Sequence, residues 1–573
     1  MKSKFKKRDI LALLAGIIII ILLNVVSGLT FRRLDLTAEK RFTLTQPTVD
    51  LLNNIDDAVT IKVYLDGDLP AYFLKLRNAT SDMLDEMRAF NGNIEYEFID
   101  PSENPLKKER EKIYTQLAKK GLKYTQHDTK KEYYIFPDAL ITYKGVDIPV
   151  ELLQVQNGLS KEAMCYNSIN NLEYQFSNAF RKFDVKDKLK IGFIKGHGEL
   201  SEIETDDIRT SLGEYYNVER VNIGGKVNSL VERAKDDKDT NKVVIKPKYS
   251  AIVIAKPDSA FSEDDKFFID QYLMYGGKIL WCIDNVFASM DSLQANPTTL
   301  AYPMQLNLED MLFNYGVRIN TNLVMDLNAA PIPVVTEMVD GKPIQKLFPW
   351  YFYPISLPTS KHPIVKNLNG IRMQFANTID TVGTNKDIKK YVLLHTSKYS
   401  RYINAPSRIS LNIFSEEPDE KQYDKRYLPM AILLEGFFNS NFKNRVSPQI
   451  DTSKVIGFKD RSAFSRQIVI SDGDVLRNDV SKTQGKIFPL DLDRFTGATY
   501  GNKTFIINAL NFLCDDSGLI SARAREVMVR PLDKKKIVKN KLNIQLTNVA
   551  FPTILVLLFG LVQYFLRKRR FAK

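Results

Sequence analysis

The chain has 573 residues, 44% of them hydrophobic and 26% charged, which is enough for roughly three or four domains with a large core. Lysine and arginine exceed aspartate and glutamate by 81 − 68 = 13. Much of this excess lies beside two apolar segments, which favours a membrane surface over nucleic acid as its partner. Cys165, Cys282 and Cys514 lie far apart without metal-ligand spacing, so a disulfide scaffold is not expected, although a single bridge stays open.

The first apolar segment lies between Asp9 and Arg32, where 22 residues carry no charge. As a helix they span about 33 Å, so we predict a transmembrane helix at 9–31. A cleaved signal peptide, with a small-residue site at 26–28, is the alternative.

The second apolar segment lies between Lys541 and Arg567, where 25 residues carry no charge before a run of four cations. This pattern predicts a transmembrane helix at 546–566. Two spans place both termini on one side of the membrane. The basic residues at both ends predict that this side is the cytoplasm of a bacterial inner membrane, with about 510 residues of body in the periplasm.

Residues 42–185 are predicted to form a thioredoxin-like domain. The predicted elements are strands at 58–65 and 94–99, helices from Pro70 and at 106–120, a hairpin of 133–141 with 146–152 about Lys144-Gly145, and a helix at 160–183. The order β-α-β-α-β-β-α is that of a thioredoxin fold in outline. Since Cys165 stands alone, the domain lacks a C-x-x-C pair and redox activity is not expected.

Residues 188–330 are predicted to form an open α/β domain, flavodoxin-like or glutaminase-like. The domain opens with a strand that breaks at Gly196-His197-Gly198-Glu199, and Ser201 and Glu204 follow with the spacing of a capping box. Further strands are predicted at 218–223, 250–255 and 278–283, and 224–248 is predicted to be an irregular exposed loop. Alternating strands and helices indicate a parallel sheet covered on both faces.

Residues 331–533 are predicted to be a β-rich extension that completes the α/β body. The segment 330–357 is rich in proline and aromatic residues and predicts a hairpin about Asp340-Gly341. Strands are predicted at 373–379, 391–396, 430–434, 467–471 and 526–529, with a helix at 503–513.

The loop Gly196, His197, Gly198 and Glu199 is the strongest candidate for a ligand or interaction site. Loops at the carboxyl ends of such strands usually carry the ligand, and a glycine loop before a helix can bind an anion. A tight turn with a locally hydrogen-bonded histidine explains the same residues and is favoured about three to one.

Other chemistry is less well supported by the sequence. Cys282 follows a strand, where glutaminase-type nucleophiles lie, but its bulky neighbours favour a core cysteine. Asp472, Gly473 and Asp474 resemble part of a calcium loop without its remaining ligands and are interpreted as a polar turn. No P-loop or zinc-type spacing occurs, so we expect no catalytic residue, cofactor or metal, and no nucleic-acid binding.

Several short motifs, in this order, resemble the GldG-like auxiliary, substrate-binding-type components of gliding-motility-associated ABC transporters. The motifs are Asp35-Leu36-Thr37, Arg41-Phe42-Thr43-Leu44-Thr45, Ile99-Asp100-Pro101, Gly196-His197-Gly198-Glu199, Leu434-Glu435-Gly436 with Phe438 and Ser440, Ile470-Ser471-Asp472-Gly473-Asp474, and Arg530-Pro531-Leu532-Asp533. The resemblance implies an ABC permease and a separate ABC ATPase as partners, with other motility or cell-envelope proteins also in contact.

The predicted function is therefore a non-enzymatic, membrane-anchored auxiliary subunit of an ABC-type transporter complex. One alternative is an extracytoplasmic ligand- or glycan-binding receptor, with the aromatic stretch 348–353 as its surface. A further alternative is a hydrolase or amidotransferase-like enzyme that uses His197 and Glu199.

Overall fold

The computed structural model describes residues 13–22, 43–126, 133–156, 158–183, 188–235, 243–339, 342–383, 385–415, 417–453, 456–481, 485–515, 518–524 and 540–571. Two compact units emerge: Phe42–Arg525 forms one, and Met1–Arg41 with Glu526–Lys573 forms the other. The architecture is mixed α/β with several sheets, which confirms the predicted fold class at this level.

The helices and strands are numbered in chain order. The helices are α1 (Leu13–Leu22), α2 (Gln46–Asn53), α3 (Ala71–Phe90), α4 (Lys107–Lys119), α5 (Lys161–Ile169), α6 (Leu172–Arg181), α7 (Asp206–Gly213), α8 (Glu263–Met274), α9 (Met290–Ala295), α10 (Glu309–Tyr315), α11 (Pro448–Asp451), α12 (Asn502–Cys514) and α13 (Lys541–Phe571). The strands are β1 (Val59–Val63), β2 (Ile94–Phe98), β3 (Thr125–Gln126), β4 (Tyr134–Ile135), β5 (Asp138–Tyr143), β6 (Val146–Glu151), β7 (Lys190–Lys195), β8 (Asn217–Asn222), β9 (Val231–Lys235), β10 (Val243–Pro247), β11 (Ala251–Ala255), β12 (Ile279–Cys282), β13 (Val286–Phe287), β14 (Thr298–Pro303), β15 (Val317–Ile319), β16 (Asn322–Asp326), β17 (Ala329–Val339), β18 (Lys342–Ser356), β19 (Ile371–Arg372), β20 (Ile379–Thr381), β21 (Ile388–His395), β22 (Ser400–Asn404), β23 (Ser407–Ser410), β24 (Pro429–Gly436) and β25 (Ser465–Ile470).

The first part of the body is built on a four-stranded sheet in the order β2-β1-β5-β6. Strands β1 and β2 are parallel, and β5 runs antiparallel to both β1 and β6. Val59, Ile61 and Val63 are buried while the residues between them are partly exposed, which is the period-two pattern of a strand with one buried face. The predicted continuous helix at 160–183 is instead two helices, α5 and α6, with the break at 170–171.

The larger sheet has seven strands in the order β21-β24-β25-β12-β11-β7-β8. Strands β25, β12, β11, β7 and β8 are parallel to one another. Strand β24 is antiparallel to both β25 and β21. The side chains of β11 alternate between two cores: Ala251 and Val253 pack with α7 and α12, and Ile252 and Ile254 pack with α8 and α10. The sheet is therefore covered on both faces, and three of its strands come from the predicted β-rich extension.

Two predictions in this region are wrong. The segment 224–248 contains the antiparallel hairpin β9–β10, in which backbone pairing overrides the high charge of the sequence. The predicted strand at 373–379 is absent, because only its last residue enters a strand, β20, while the preceding residues follow the short strand β19.

The proline-rich and aromatic segment forms a long hairpin of β17 and β18, and the predicted turn at 340–341 lies outside the described residues. At its base, Trp350, Tyr351, Phe352 and Tyr353 are at most 8% exposed and pack in a separate core. Four of the five aromatic residues in the stretch 348–353, on which the glycan-receptor alternative depends, are therefore buried.

Helix α13 is long and apolar enough to cross a membrane, as its 29-residue segment Lys541–Arg569 has a mean hydropathy of 2.2 over its most apolar window. Helix α1, at ten residues, is shorter than a span requires, and the rest of the predicted segment 9–31 lies outside the described residues. The predicted strand at 526–529 also falls outside them.

Candidate functional site

Both candidate loops predicted from the sequence lie at the carboxyl end of the seven-stranded sheet. Strand β7 ends at Lys195 and leads into the glycine loop, and β25 ends at Ile470 and leads into the polar turn. Because β7 pairs with β8 on one side and β11 on the other, the direction of sheet growth reverses between β7 and β11. In open α/β sheets this switch point is the usual place for a ligand.

The crevice at this switch point is occupied by the chain itself. The backbone N–H of Leu200 donates to the carbonyl of Ala255 at 3.0 Å, and the N–H of Asp258 donates to the carbonyl of His197 at 2.9 Å. A Cβ at Gly198, where φ is +74°, would overlap the Asp258 carboxylate. Glycine is required there both for its backbone conformation and for this close approach, and the two loops together close the ligand position.

His197 is held between two carboxylates. Its Nδ1 lies 3.2 Å from Glu199 Oε1, and its Nε2 lies 3.1 Å from Asp265 Oδ2. Glu199 also accepts the backbone N–H of His197 at 2.8 Å. The ring stacks on Phe261 with 3.7 Å between centroids, and the residue is 6% exposed. Both ring nitrogens are therefore engaged within the protein.

The surroundings of His197 stabilise its charged form. Burial alone would lower the pKa of His197, but the hydrogen bonds and charges of Glu199 and Asp265 outweigh it and raise the pKa above its ordinary value. Burial likewise opposes ionisation of Glu199, but its bonds from His197 lower its pKa overall. A ring whose two nitrogens both bind carboxylates has no free nitrogen to act as a general base.

The polar turn at Asp472, Gly473 and Asp474 is held by backbone donors. Asp472 accepts the N–H of Gln374 at 2.6 Å and the N–H of Asp474 at 2.8 Å. The N–H of Gly473 donates to Asp284 at 2.6 Å. These backbone N–H groups hold the carboxylates of the turn and of Asp284 in place.

Lys256, which follows β11, lies at the centre of this turn. Its ammonium group pairs with Asp284 at 3.0 Å and with Asp474. Burial would lower the pKa of Lys256, but the two carboxylates hold it above its ordinary value. Burial raises the pKa of Asp284 above its ordinary value. The pKa of Asp472 is raised well above its ordinary value by burial and by the nearby carboxylates of Asp284 and Asp474. The result is a buried cluster in which one ammonium pairs with two carboxylates and burial favours the protonated forms of Asp284 and Asp472.

Arg477 connects the two candidate loops. Its guanidinium lies 2.9 Å from Glu204 and 3.4 Å from Asp474. Glu204 accepts hydrogen bonds from the N–H and hydroxyl of Ser201, so the capping-box contacts form as predicted, although helix α7 itself begins at Asp206. The glycine loop, the polar turn and Lys256 thus form one continuous polar edge, which we call the carboxyl edge.

The sequence reasoning missed Lys256, Asp284 and Asp265. Lys256 directly follows the buried strand β11, and Asp284 lies two residues after the buried strand β12. Charged residues at these positions of a parallel sheet could have indicated a site. Asp265 is the residue that Ser262 caps at the start of α8, and no local signal connects it to a histidine 68 positions earlier.

Within the described residues, no group of three or more His, Cys, Asp and Glu side chains is arranged to hold a metal ion. Cys165, Cys282 and Cys514 are all buried, and none of them forms a disulfide. Burial raises the pKa of Cys282 well above its ordinary value, so this thiol resists ionisation to the reactive thiolate.

The central part of the chain, residues 188–509, matches the family model described as an ABC-type uncharacterized transport system. The chain belongs to this family. Family membership makes it an auxiliary component of an ABC-type transport system, and together with helix α13 it supports a membrane-anchored auxiliary subunit. Residues 38–142 match a second model, described as a domain of unknown function.

Two individual proteins are also similar to this chain. An uncharacterized protein of Borreliella burgdorferi is 22% identical over 574 residues, covering 99% of each chain. The solved mmIFT52 N-terminal domain is 11% identical with a TM-score of 0.30, covering 57% of this chain and 97% of that one. Such a TM-score does not establish a shared fold.

Proposed function

We propose that the protein is a non-enzymatic subunit that binds an ABC permease, and through it a separate ATPase, and holds its body outside the cytoplasm. The observation that carries the proposal is the closed carboxyl edge in a chain of the auxiliary family. An enzyme or a small-molecule receptor with this sheet would keep the switch point open.

The hydrogen bonding of His197 argues against catalysis. A general base needs a free nitrogen within reach of a substrate proton, whereas both nitrogens of His197 face buried carboxylates. The same contacts explain a structural requirement for Gly-His-Gly-Glu. The histidine fixes the loop against α8, and Gly198 allows Asp258, in the segment after β11, to pack onto the loop.

The membrane arrangement that we propose has two spans. Helix α13 supplies one, and the basic, apolar segment at 9–31 supplies the other. The cations outside both segments favour cytoplasmic termini in a bacterial inner membrane, which places 42–525 in the periplasm. Gliding motility as the process served rests on the sequence resemblance alone.

For the body we propose a thioredoxin-like domain followed by an open α/β domain completed by the β-rich extension. The sheet order β2-β1-β5-β6, with β5 antiparallel to its neighbours, supports the first. Five parallel strands with helices on both faces support the second. Cys165 is buried in α5 without a second cysteine near it in sequence, so the proposal includes no redox role.

The test is purification of the full-length protein from native membranes in mild detergent, with identification of its partners by mass spectrometry. We expect a permease and an ABC ATPase to be recovered together. A His197→Gln, Glu199→Gln variant distinguishes the proposed function from the enzymatic alternative. If the two side chains have only a structural role, the amount of recovered complex falls only as far as the amount of folded protein falls. Recovery of the protein without a permease contradicts the proposed function.

A further inference from the structure

The last described element of the body is a short 3₁₀ helix at Leu519–Ala524, which we call the terminal turn. The compact body ends at Arg525, so the chain passes through this turn before it continues to α13. Ile520, Ala522 and Arg523 are each at most 4% exposed. The turn is therefore packed into the body at the point where the chain leaves it.

The terminal turn contacts the first part of the body, 42–183. Ile520 packs with Tyr174 of α6, and the guanidinium of Arg523 lies over the same ring at 5.1 Å from its centroid. Arg523 also donates to the carbonyl of Lys366 at 2.8 Å, in the part of the body that is built on the seven-stranded sheet. One short element thus contacts both parts of the body.

The charge of Arg523 opposes the packing of the terminal turn. The residue is 1% exposed, yet among the described residues no carboxylate pairs with it, and its Nε has no hydrogen-bond partner. Its bond to the Asn508 side chain is long, at 3.4 Å. Burial lowers the pKa of Arg523, and the nearby Tyr174 offsets this only in part. A buried cation without an anion is costly, so the turn is held less firmly than its apolar packing alone would hold it.

Arg181 of α6 provides a contrast at the same junction. It is a second buried arginine, and it donates to Asn511 of α12 at 2.6 Å and lies over the rings of Tyr215 and Tyr216 at 5.0 and 5.7 Å. Burial would lower the pKa of Arg181, but its surroundings raise it overall. The junction therefore contains one arginine whose charge is stabilised, Arg181, and one whose charge is not, Arg523.

The start of the terminal turn is fixed by Asp515, the residue after α12. Its two carboxylate oxygens accept the N–H groups of Gly518 and Ile520, each at 3.0 Å. The bond to Ile520 joins the turn to the end of α12 and breaks when the turn separates from that helix. Exchange of the Ile520 amide hydrogen therefore reports the opening of the turn.

We propose that the terminal turn is a latch that opens as a unit and, when open, loosens the first part of the body from the part built on the seven-stranded sheet. A pull on the chain beyond Arg525 acts on this turn first, because it is the last packed element among the described residues before the chain leaves the body. Helix α13 lies further along the same chain, so a movement of the membrane anchor reaches the body through the latch. This device goes beyond the proposed function and requires no particular partner.

The test uses the full-length protein in detergent, with amide hydrogen exchange followed by mass spectrometry. In the unmodified protein we expect the Ile520 amide to exchange faster than those in the middle of α12, because the latch opens without unfolding of the helix. Arg523→Met removes the unpaired charge and keeps an apolar side chain of similar length, so the Ile520 amide should exchange at least about tenfold more slowly. Arg181→Met is the matched control, and it should accelerate exchange in α6 because it removes a favourable cation from the same junction.

A further variant tests the coupling between the latch and the first part of the body. Ile520→Ser removes the apolar contact with Tyr174, so it should hold the latch open and accelerate exchange in α6 by about tenfold or more. The control is Ile319→Ser. Ile319 is 8% exposed, against 4% for Ile520, and packs in the core on the other face of the seven-stranded sheet. This control should leave exchange in α6 unchanged.

Each outcome decides for or against the latch. Slower exchange at Ile520 in Arg523→Met, with faster exchange in α6 in Ile520→Ser but not in Ile319→Ser, supports it. If both arginine variants change exchange in the same direction, the buried charge does not weaken the turn and the proposal is wrong. The proposal is also wrong if Ile520 is as well protected as the middle of α12, or if Ile520→Ser accelerates exchange throughout the body. Because no outcome depends on recovery of a permease, the proposed function is tested separately.

Discussion

Replacing His197 by glutamine removes the imidazole ring that lies between the buried carboxylates of Glu199 and Asp265. The side chains of His197, Glu199 and Asp265 are 7%, 1% and 11% exposed, so solvent does little to screen them. Removing one partner of a buried ion pair typically costs about 3–5 kcal/mol. Glutamine can still donate to one carboxylate, but it cannot carry the charge, and it loses the ring stacking on Phe261. We therefore expect the loop to be destabilised by about 3–5 kcal/mol.

Amide hydrogen exchange of the detergent-solubilised protein measures this effect locally. The N–H groups of Leu200 and Asp258 are bonded within the closed loops and report their opening. Below about pH 6, where the contribution of His197 is fully present, a loss of 3 kcal/mol or more accelerates exchange through this opening by about 100-fold or more. His362→Gln is the control. Burial and Arg466 lower the pKa of His362 to about 4, so that histidine is neutral and its loss removes no charge.

The contribution of His197 to the stability of the loop decreases as the pH rises. Because the folded-state pKa of His197 is raised, its contribution is fully present below its unfolded pKa of about 6.5. The contribution is lost as pH rises through the folded pKa, so wild type and variant should converge under alkaline conditions. If His197→Gln leaves exchange at Leu200 and Asp258 within threefold of wild type yet abolishes cellular function, the structural role assigned to His197 is wrong.

Three further changes test the packing of the body by thermal unfolding. Burial raises the pKa of Asp138 to about 7, so the folded state holds a proton between about pH 4 and 7 that the unfolded chain releases. Stability falls across that window by up to about 4 kcal/mol, and Asp138→Asn should raise the melting temperature at pH 8 but not at pH 4. Gly198→Ala should lower the melting temperature far more than Gly158→Ala. Both glycines have positive φ, but only at Gly198 does a carboxylate occupy the position of the added Cβ. Equal effects of the two changes would contradict the close packing. Lys256→Met should cost about 3–5 kcal/mol by leaving two buried carboxylates without their cation, and adding Asp284→Asn should restore part of it. If Lys256→Met leaves the melting temperature unchanged, the carboxylates are already protonated.

Local pattern was sufficient where a segment has one buried face. The alternation at Val59, Ile61 and Val63 predicts a strand, and the structure has a strand there. The turn at Lys144-Gly145 predicts a hairpin, which β5 and β6 form. Local pattern failed at 224–248, because the charged run at 236–239 between β9 and β10 dominates the composition, whereas the pairing of the two short strands depends on backbone groups, which are the same in every residue.

The candidate site was found in pieces. The glycine loop and the polar turn are visible as motifs, because glycine and aspartate have distinctive backbone preferences. Their common edge, and the lysine between them, depend on β25 pairing with β12 across nearly 190 residues of chain. Such a pairing is fixed by the complementarity of two hydrophobic strands in three dimensions, and neither strand records it in its own sequence.

The sequence by itself determined the apolar C-terminal helix, the mixed α/β class and the residues of both loops, since each follows from local hydropathy, periodicity or turn chemistry. The tertiary structure decided that the switch point is closed, that His197 is bound to two carboxylates, and that Arg523 is buried over the ring of Tyr174. These outcomes depend on side chains brought together from distant segments. Burial and charge compensation are properties of that assembled environment and of no single stretch of the chain.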